Sequence, residues 1–364
     1  MFPYNNLKKS FLYFVIAMVL AAYQMTCDAS SNKGEINILT WHSYLRSPEI
    51  ASLIQNKCGV AISYDEYYSG TECLKRISAF GDSHGYDIVI FPNNIYKLIK
   101  GKIEMKNSNL NKMAKDYSND VRSYYLSHNY PNNVVYFMLP LTGFVWNPSI
   151  INLTTSDPIH SMFKKAKNNT VILFDSRTGI WNLFDNKQKL HSDLLAEAFG
   201  KTIQDADIYI ANGYNELYNS DRFAFSFQLS AAAASIIKNS RNKTLAFLIH
   251  PSYSYVTPDL LAELNTRSET RCVARILASK EVLDIVQKET YYLSPYGTYK
   301  SIKDPVFRNV YKALFDGEYK IRWIDSFYAR NIKKYHELRN MWDKIYLLPQ
   351  VMKNNPLVLR RELN

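Results

Sequence analysis

Hydrophobic and polar positions alternate along Ile36-Asn37-Ile38-Leu39-Thr40-Trp41, the period of a strand. Ser47-Pro48-Glu49 then reads as a helix start, with a capping serine, a proline in the first turn and an acid at the positive end of the dipole. Ile50, Leu53 and Ile54 give this helix one apolar face, and Gly59 stops it. A second strand follows at Val60 to Tyr64, then a helix capped by Thr71 with Leu74, Ile77 and Phe80 on its face. Asp87-Ile88-Val89-Ile90-Phe91 is nearly continuous in apolar residues, as in a strand covered on both sides. Leu98 and Ile99 belong to the next helix. This β-α-β-α-β rhythm predicts a parallel sheet packed between helices.

A second series of the same kind follows. Phe144-Val145-Trp146, Val171 to Phe174 and Leu245 to Ile249 read as strands. Leu194 to Phe199 and Ser230 to Ile237 read as helices, the latter carrying the small residues Ala231 to Ala234. Later helices are expected at Arg271 to Ala278, Lys280 to Gln287, Pro305 to Phe315 and Ile332 to Trp342. No repeat and no flexible linker separates the two series, so short crossing strands should join them.

The N-terminus has a different pattern. Lys8 and Lys9 precede the uncharged run Phe11 to Tyr23, 13 residues long. That is too short to span a bilayer and fits the apolar region of an export signal. Residues 1–29 are therefore read as a signal peptide cut after Ala29, with a lipidated Cys27 as the alternative and the periplasm as the destination. Cys58, Cys73 and Cys272 then remain, an odd number. A strand holds Cys58 and Cys73 apart by ~20 Å, beyond disulfide reach. Buried free thiols are the expectation.

Composition narrows the function classes. Of 364 residues 47% are hydrophobic and 21% charged, an ordinary globular balance. The net charge of +11 would suit an acidic partner, yet the basic residues are scattered without a run, so nucleic acid is not expected. The sequence has no G-x-S-x-G elbow, P-loop or G-x-G-x-x-G motif. His336-Glu337 opens like a zinc-protease motif, but Asn340 stands where the second histidine is needed. No cofactor or metal is expected. An exported pair of α/β units without a catalytic signature points to binding; an exported enzyme is the lesser alternative.

Six segments occur in an order that resembles a known family. They are Leu39-Thr40-Trp41-His42-Ser43-Tyr44, Tyr86 to Ile90, Thr142 to Asn147, Phe227-Gln228-Leu229-Ser230-Ala231, Asp259-Leu260-Leu261-Ala262 and Tyr292-Leu293-Ser294-Pro295. Over about 35–345 the chain resembles periplasmic substrate-binding proteins of ABC transporters, of the spermidine/putrescine-binding (polyamine) type. The resemblance implies an α/β fold of two lobes, a type II periplasmic binding protein, with the ligand cleft between them. It implies crossings near 140–147 and 256–260, with 35–140 plus 259–304 in lobe 1 and 141–258 plus 305–364 in lobe 2. It also implies a monomer that delivers a small amine to an inner-membrane ABC permease.

Carried over by position, Trp41, Tyr44, Phe227 and Tyr292 would form aromatic walls and Asp259 would grip an ammonium group. Three acids of such a site are replaced, by Ser43, Ser176 and Gly179, and Arg177 adds a positive charge. Asn93 and Asn94 also depart from the pattern, as does Thr257, which stands where a tryptophan is expected. Asp325 is a second candidate acid. A zwitterionic or anionic solute, or a sensor role, is the alternative outcome. On the residues alone, Trp41 and Tyr44 also suit a core or rim, Asp259 a helix cap, and Tyr291 competes with Tyr292. The paired tyrosines at 67/68, 124/125 and 291/292 resemble those of ferric-ion receptors, but none lies in the second-lobe segment where such a pair is expected.

Overall fold

The computed structural model describes residues 34–79, 85–105, 107–174, 177–184, 192–210, 218–297, 302–315, 322–323 and 332–352. The leader 1–29 with Cys27, and also Phe80, Ser176 and Asp325, lie outside the described residues.

The first series folds as β1 (Ile36–Trp41), α1 (Pro48–Cys58), β2 (Ile62–Tyr67), α2 (Gly70–Ala79), β3 (Ile88–Pro92), α3 (Tyr96–Ile103), α4 (Asn119–Ser127) and β4 (Val134–Tyr136). α1 starts and stops where the sequence indicates: Ser47 precedes it, and Gly59 follows at φ 68°. α2 differs at its start. Ser69, not Thr71, caps it: its Oγ accepts the Glu72 N–H at 3.1 Å, while the Glu72 carboxylate accepts the N–H of Tyr68 at 2.9 Å. This is a reciprocal arrangement of the capping-box kind.

The second series gives β5 (Thr142–Trp146), α5 (Ile159–Lys165), β6 (Thr170–Leu173), α6 (Arg177–Phe184), α7 (Ser192–Ile203), β7 (Asp207–Ile210), β8 (Phe223–Leu229), α8 (Ser230–Asn239) and β9 (Ala246–Leu248). β10 (Asp259–Glu263), α9 (Ser268–Leu277), α10 (Lys280–Thr290), α11 (Pro305–Phe315), α12 (Ile332–Tyr346) and α13 (Pro349–Met352) complete the described elements.

Two five-stranded sheets result, ordered β2-β1-β3-β10-β4 and β7-β6-β8-β5-β9. The first is mixed rather than parallel. β1 runs parallel to β2 and β3, but β10 returns antiparallel between β3 and β4. β3 is buried along its whole length, as its unbroken apolar run predicts. In the second sheet β8 enters antiparallel to β5 and parallel to β6.

The chain passes between the sheets on adjacent segments. Leu141 bridges Val256, and Val256 bridges Trp323. The Thr142 N–H donates to the Tyr255 carbonyl at 2.9 Å, and the Tyr255 N–H donates back to Thr142 Oγ1 at 2.8 Å. The Thr257 N–H donates to the Pro140 carbonyl at 3.1 Å. The pairing of Trp323 with this crossing has no counterpart in the sequence reading. Gly143 sits where β9 crowds β5: a Cβ there would lie 2.8 Å from the Leu248 carbonyl oxygen and overlap the Phe247 ring.

The cysteines depart from expectation. Cys58 and Cys272 form a disulfide, with Cα atoms 5.8 Å apart across 214 positions, and Cys73 is free and buried. The strand that separates Cys58 from Cys73 has no bearing on Cys272. β10 returns inside the sheet, between β3 and β4, and its following helix α9 packs against α1, so the two helices that carry the cysteines meet.

Candidate functional site

β1 ends at Trp41, in the row of strand ends from which ligands are bound in open α/β sheets. Beyond it, residues 42–45 form a turn that carries Tyr44. β10 starts at Asp259, directly opposite Pro92 at the end of β3. Antiparallel return therefore places the first residue of β10 beside the last residues of β1 and β3.

Three of the sequence-predicted residues meet directly here. The indole Nε1 of Trp41 donates to Asp259 Oδ1 at 3.1 Å. The Tyr44 hydroxyl donates to Asp259 Oδ2. Tyr292 stands edge-on to Tyr44 with ring centroids 6.0 Å apart. Of the two competing tyrosines, Tyr292 faces this group, while the Tyr291 ring packs toward Phe307. The Tyr291 carbonyl accepts hydrogen bonds from Ser230 Oγ at 3.0 Å and from the Tyr311 hydroxyl, which ties this turn to α8 and α11.

Phe227 lies elsewhere. It is fully buried in the core of the second sheet, opposite Phe144 in register, with ring centroids 4.9 Å apart, and packs against Phe174. Gly179 is buried within α6, which Arg177 begins. Asn93 is buried and accepts a hydrogen bond from the Tyr130 hydroxyl at 2.9 Å.

Burial dominates the electrostatics. Asp259 is 3% exposed and Tyr44 2%. Desolvation pushes the Asp259 carboxyl up to about 7, against the opposing pull of the Tyr44 and Trp41 hydrogen bonds. Burial and then the Asp259 charge raise the Tyr44 phenol, and the same two causes raise Tyr292. Near neutrality the Asp259 carboxyl is thus partly protonated, while the phenols keep their protons. A cation brought to Asp259 would replace that proton.

The sequence reading missed two neighbours. Tyr67 packs on Trp41, with centroids 4.6 Å apart, and donates its hydroxyl to the Ile90 carbonyl at 2.8 Å. Glu66 accepts the Ser43 N–H at 2.8 Å and forms an ion pair with Arg46 at 2.8 Å. The signal for both was the parallel neighbour of β1: residue for residue, Thr40 lies beside Glu66 and Trp41 beside Tyr67.

No protein-family model and no curated protein matches the chain in sequence. Solved structures match its fold. The spermidine/putrescine ABC transporter substrate-binding protein PotD of Streptococcus pneumoniae is similar at 14% identity, covering 87% of this chain and 99% of that one, with a TM-score of 0.67. A PotD lipoprotein of Treponema pallidum is similar at 12% identity, over 86% of this chain and 99% of its own, with a TM-score of 0.67. A ferric binding protein from Campylobacter jejuni is similar at 15% identity, over 85% of this chain and 99% of its own, with a TM-score of 0.62. The fold is that of the two-lobe periplasmic binding proteins, and the expected likeness to spermidine/putrescine-binding proteins holds at the level of fold. Among the described residues no helix is long and apolar enough to cross a membrane.

Proposed function

We propose that this protein is an exported solute-binding receptor that takes a small amine into the cleft between its lobes and presents it to an ABC permease. Lobes built from 35–140 plus 259–304 and from 141–258 plus 305–364 would close on the ligand by hinge motion at the crossings. The role is binding, not turnover. The observation that carries the reading is the Asp259 carboxyl, buried at the ends of β1 and β3 and met by Trp41 and Tyr44. A buried carboxylate among aromatic rings offers an ammonium group both a charge partner and π-faces.

The ligand is a monoamine or a diamine such as putrescine rather than spermidine. Asp259 can neutralise one ammonium, while Ser43, Ser176 and Gly179 supply no further carboxylate. An ammonium left unpaired in a buried cleft costs several kcal/mol. The disulfide between Cys58 and Cys272 supports an oxidising compartment, in keeping with removal of 1–29 as a signal peptide.

A second reading has its own observation. Both Asp259 oxygens are already met by the protein's own donors, which suits an internal brace. The cleft would then serve a zwitterionic or anionic solute, with Arg177 the residue to examine. Thermal-shift screening decides between the two. A ligand at 100 times its dissociation constant adds ~2.7 kcal/mol of stability. Stabilisation by putrescine or butylamine supports the amine receptor; stabilisation only by carboxylates or phosphates supports the second reading.

A further inference from the structure

Trp41 and Tyr44 stand three residues apart, and both reach Asp259 because the chain reverses between them. The Tyr44 N–H donates to the Trp41 carbonyl at 3.3 Å, so residues 41–44 form a β-turn. Its third residue, Ser43, has a φ of 73°. That position in such a turn favours glycine or asparagine, and a serine there is strained.

The restraint comes from the neighbouring strand. Oε1 of Glu66 accepts the Ser43 N–H at 2.8 Å and the Arg46 Nε–H at 3.0 Å. Oε2 accepts Arg46 Nη2 at 2.8 Å and lies 3.0 Å from His42 Nδ1. Arg46 first, then the Ser43 N–H and His42, hold the Glu66 carboxyl down to about 2 against partial burial, so it stays ionised and accepting. The His42 N–H donates to the Tyr67 carbonyl at 3.0 Å and continues the β1–β2 ladder into the turn.

We infer that Glu66 is a positioning residue of the ligand site: its carboxylate holds Ser43 in the left-handed conformation that lets Trp41 and Tyr44 meet Asp259 together. Glu66 acts through these two aromatic residues. The inference rests on the amine-receptor reading for its affinity measurement only, and a second measurement is free of ligand.

The variants are Glu66→Gln, Ser43→Gly and the double substitution. Glutamine keeps the size but drops the charge; glycine adopts positive φ without a restraint. In ligand-free protein, Trp41 emission is read as the difference from Trp41→Phe. Glu66→Gln shifts it to the red, and adding Ser43→Gly returns it. Affinity for putrescine, by calorimetry, falls roughly tenfold in Glu66→Gln, the effect of a lost charge-assisted hydrogen bond, and recovers in the double variant. Ser43→Gly alone matches the wild type in both measurements. Unchanged Trp41 emission in Glu66→Gln, or a red shift that glycine does not reverse, overturns the inference. If putrescine fails to bind wild-type protein, the amine reading falls and the emission measurement still decides the role of Glu66. Should Glu66→Gln not fold, recovery of folding by Ser43→Gly supports the inference, and continued failure overturns it.

Discussion

The indole nitrogen of Trp41 lies 3.1 Å from a carboxylate oxygen of Asp259, a residue 218 positions further along the chain. The contact exists because β10 comes back antiparallel beside β3 and starts where β1 ends. Desolvation in that setting pushes the Asp259 carboxyl up to about 7, and this has consequences for binding and for stability.

Amine binding should release a proton. Below pH 7 Asp259 is protonated in the empty protein, and an ammonium partner needs the carboxylate. Affinity for putrescine should rise about tenfold per pH unit up to pH 7 and then level off. Calorimetry at pH 6 in two buffers of different ionisation enthalpy should show close to one proton released per ligand, and none at pH 8.5. A flat pH profile would remove Asp259 from the ligand's charge balance.

The ligand-free protein should lose stability as pH rises. The folded pKa of Asp259, about 7, lies above the unfolded value of ~3.9. Between these values the native state binds the extra proton, so the stability contributed by this group is present below about pH 4 and is lost as pH rises through 7. Asp259→Asn removes this dependence and should raise the melting temperature at pH 8. A melting temperature that falls at pH 8 in this variant would contradict the assignment.

Much of the first lobe was legible in the sequence because its elements are short and strongly patterned. The Ser47-Pro48-Glu49 start and the Gly59 stop bracket α1 as expected, and the apolar run at 88–92 is a strand covered on both faces. β2 was placed two residues early because an edge strand with an exposed centre has no clear alternation. Trp41, Tyr44, Asp259 and Tyr292 come together. Phe227 instead fills the second core, since the alternation of β8 fixes which face it takes and both faces there are buried. The disulfide, the bridge from Trp323 to Val256 and the Glu66 contacts were not legible. Each depends on which strand lies beside which, and local pattern does not state that.

Peptide mapping without reduction should find Cys58 and Cys272 in one joined fragment. Replacing both by serine removes a cross-link that spans 214 positions and should lower stability by about 2–4 kcal/mol. Denaturant unfolding of the two proteins measures the difference. Equal midpoints with and without reductant would mean that the bond does not form.

Gly143→Ala should destabilise by about 1–3 kcal/mol, the range for forcing atoms into a packed interior. The new methyl group would meet the Leu248 carbonyl oxygen at 2.8 Å and the Phe247 ring. Backbone is the harder of the two to move. Thermal unfolding of the variant provides the check, and an unchanged melting temperature would show that β9 yields at this point.

The role of Asp259 as charged anchor is tested most directly by calorimetric titration of wild-type protein and Asp259→Asn with butylamine, putrescine and spermidine at pH 8. The wild type should bind the monoamine or the diamine more tightly than spermidine. Asp259→Asn should weaken that binding by about 1.5–3 kcal/mol, the range for a charge-assisted hydrogen bond. No amine binding at millimolar concentration, or an affinity that Asp259→Asn leaves unchanged, would contradict the account.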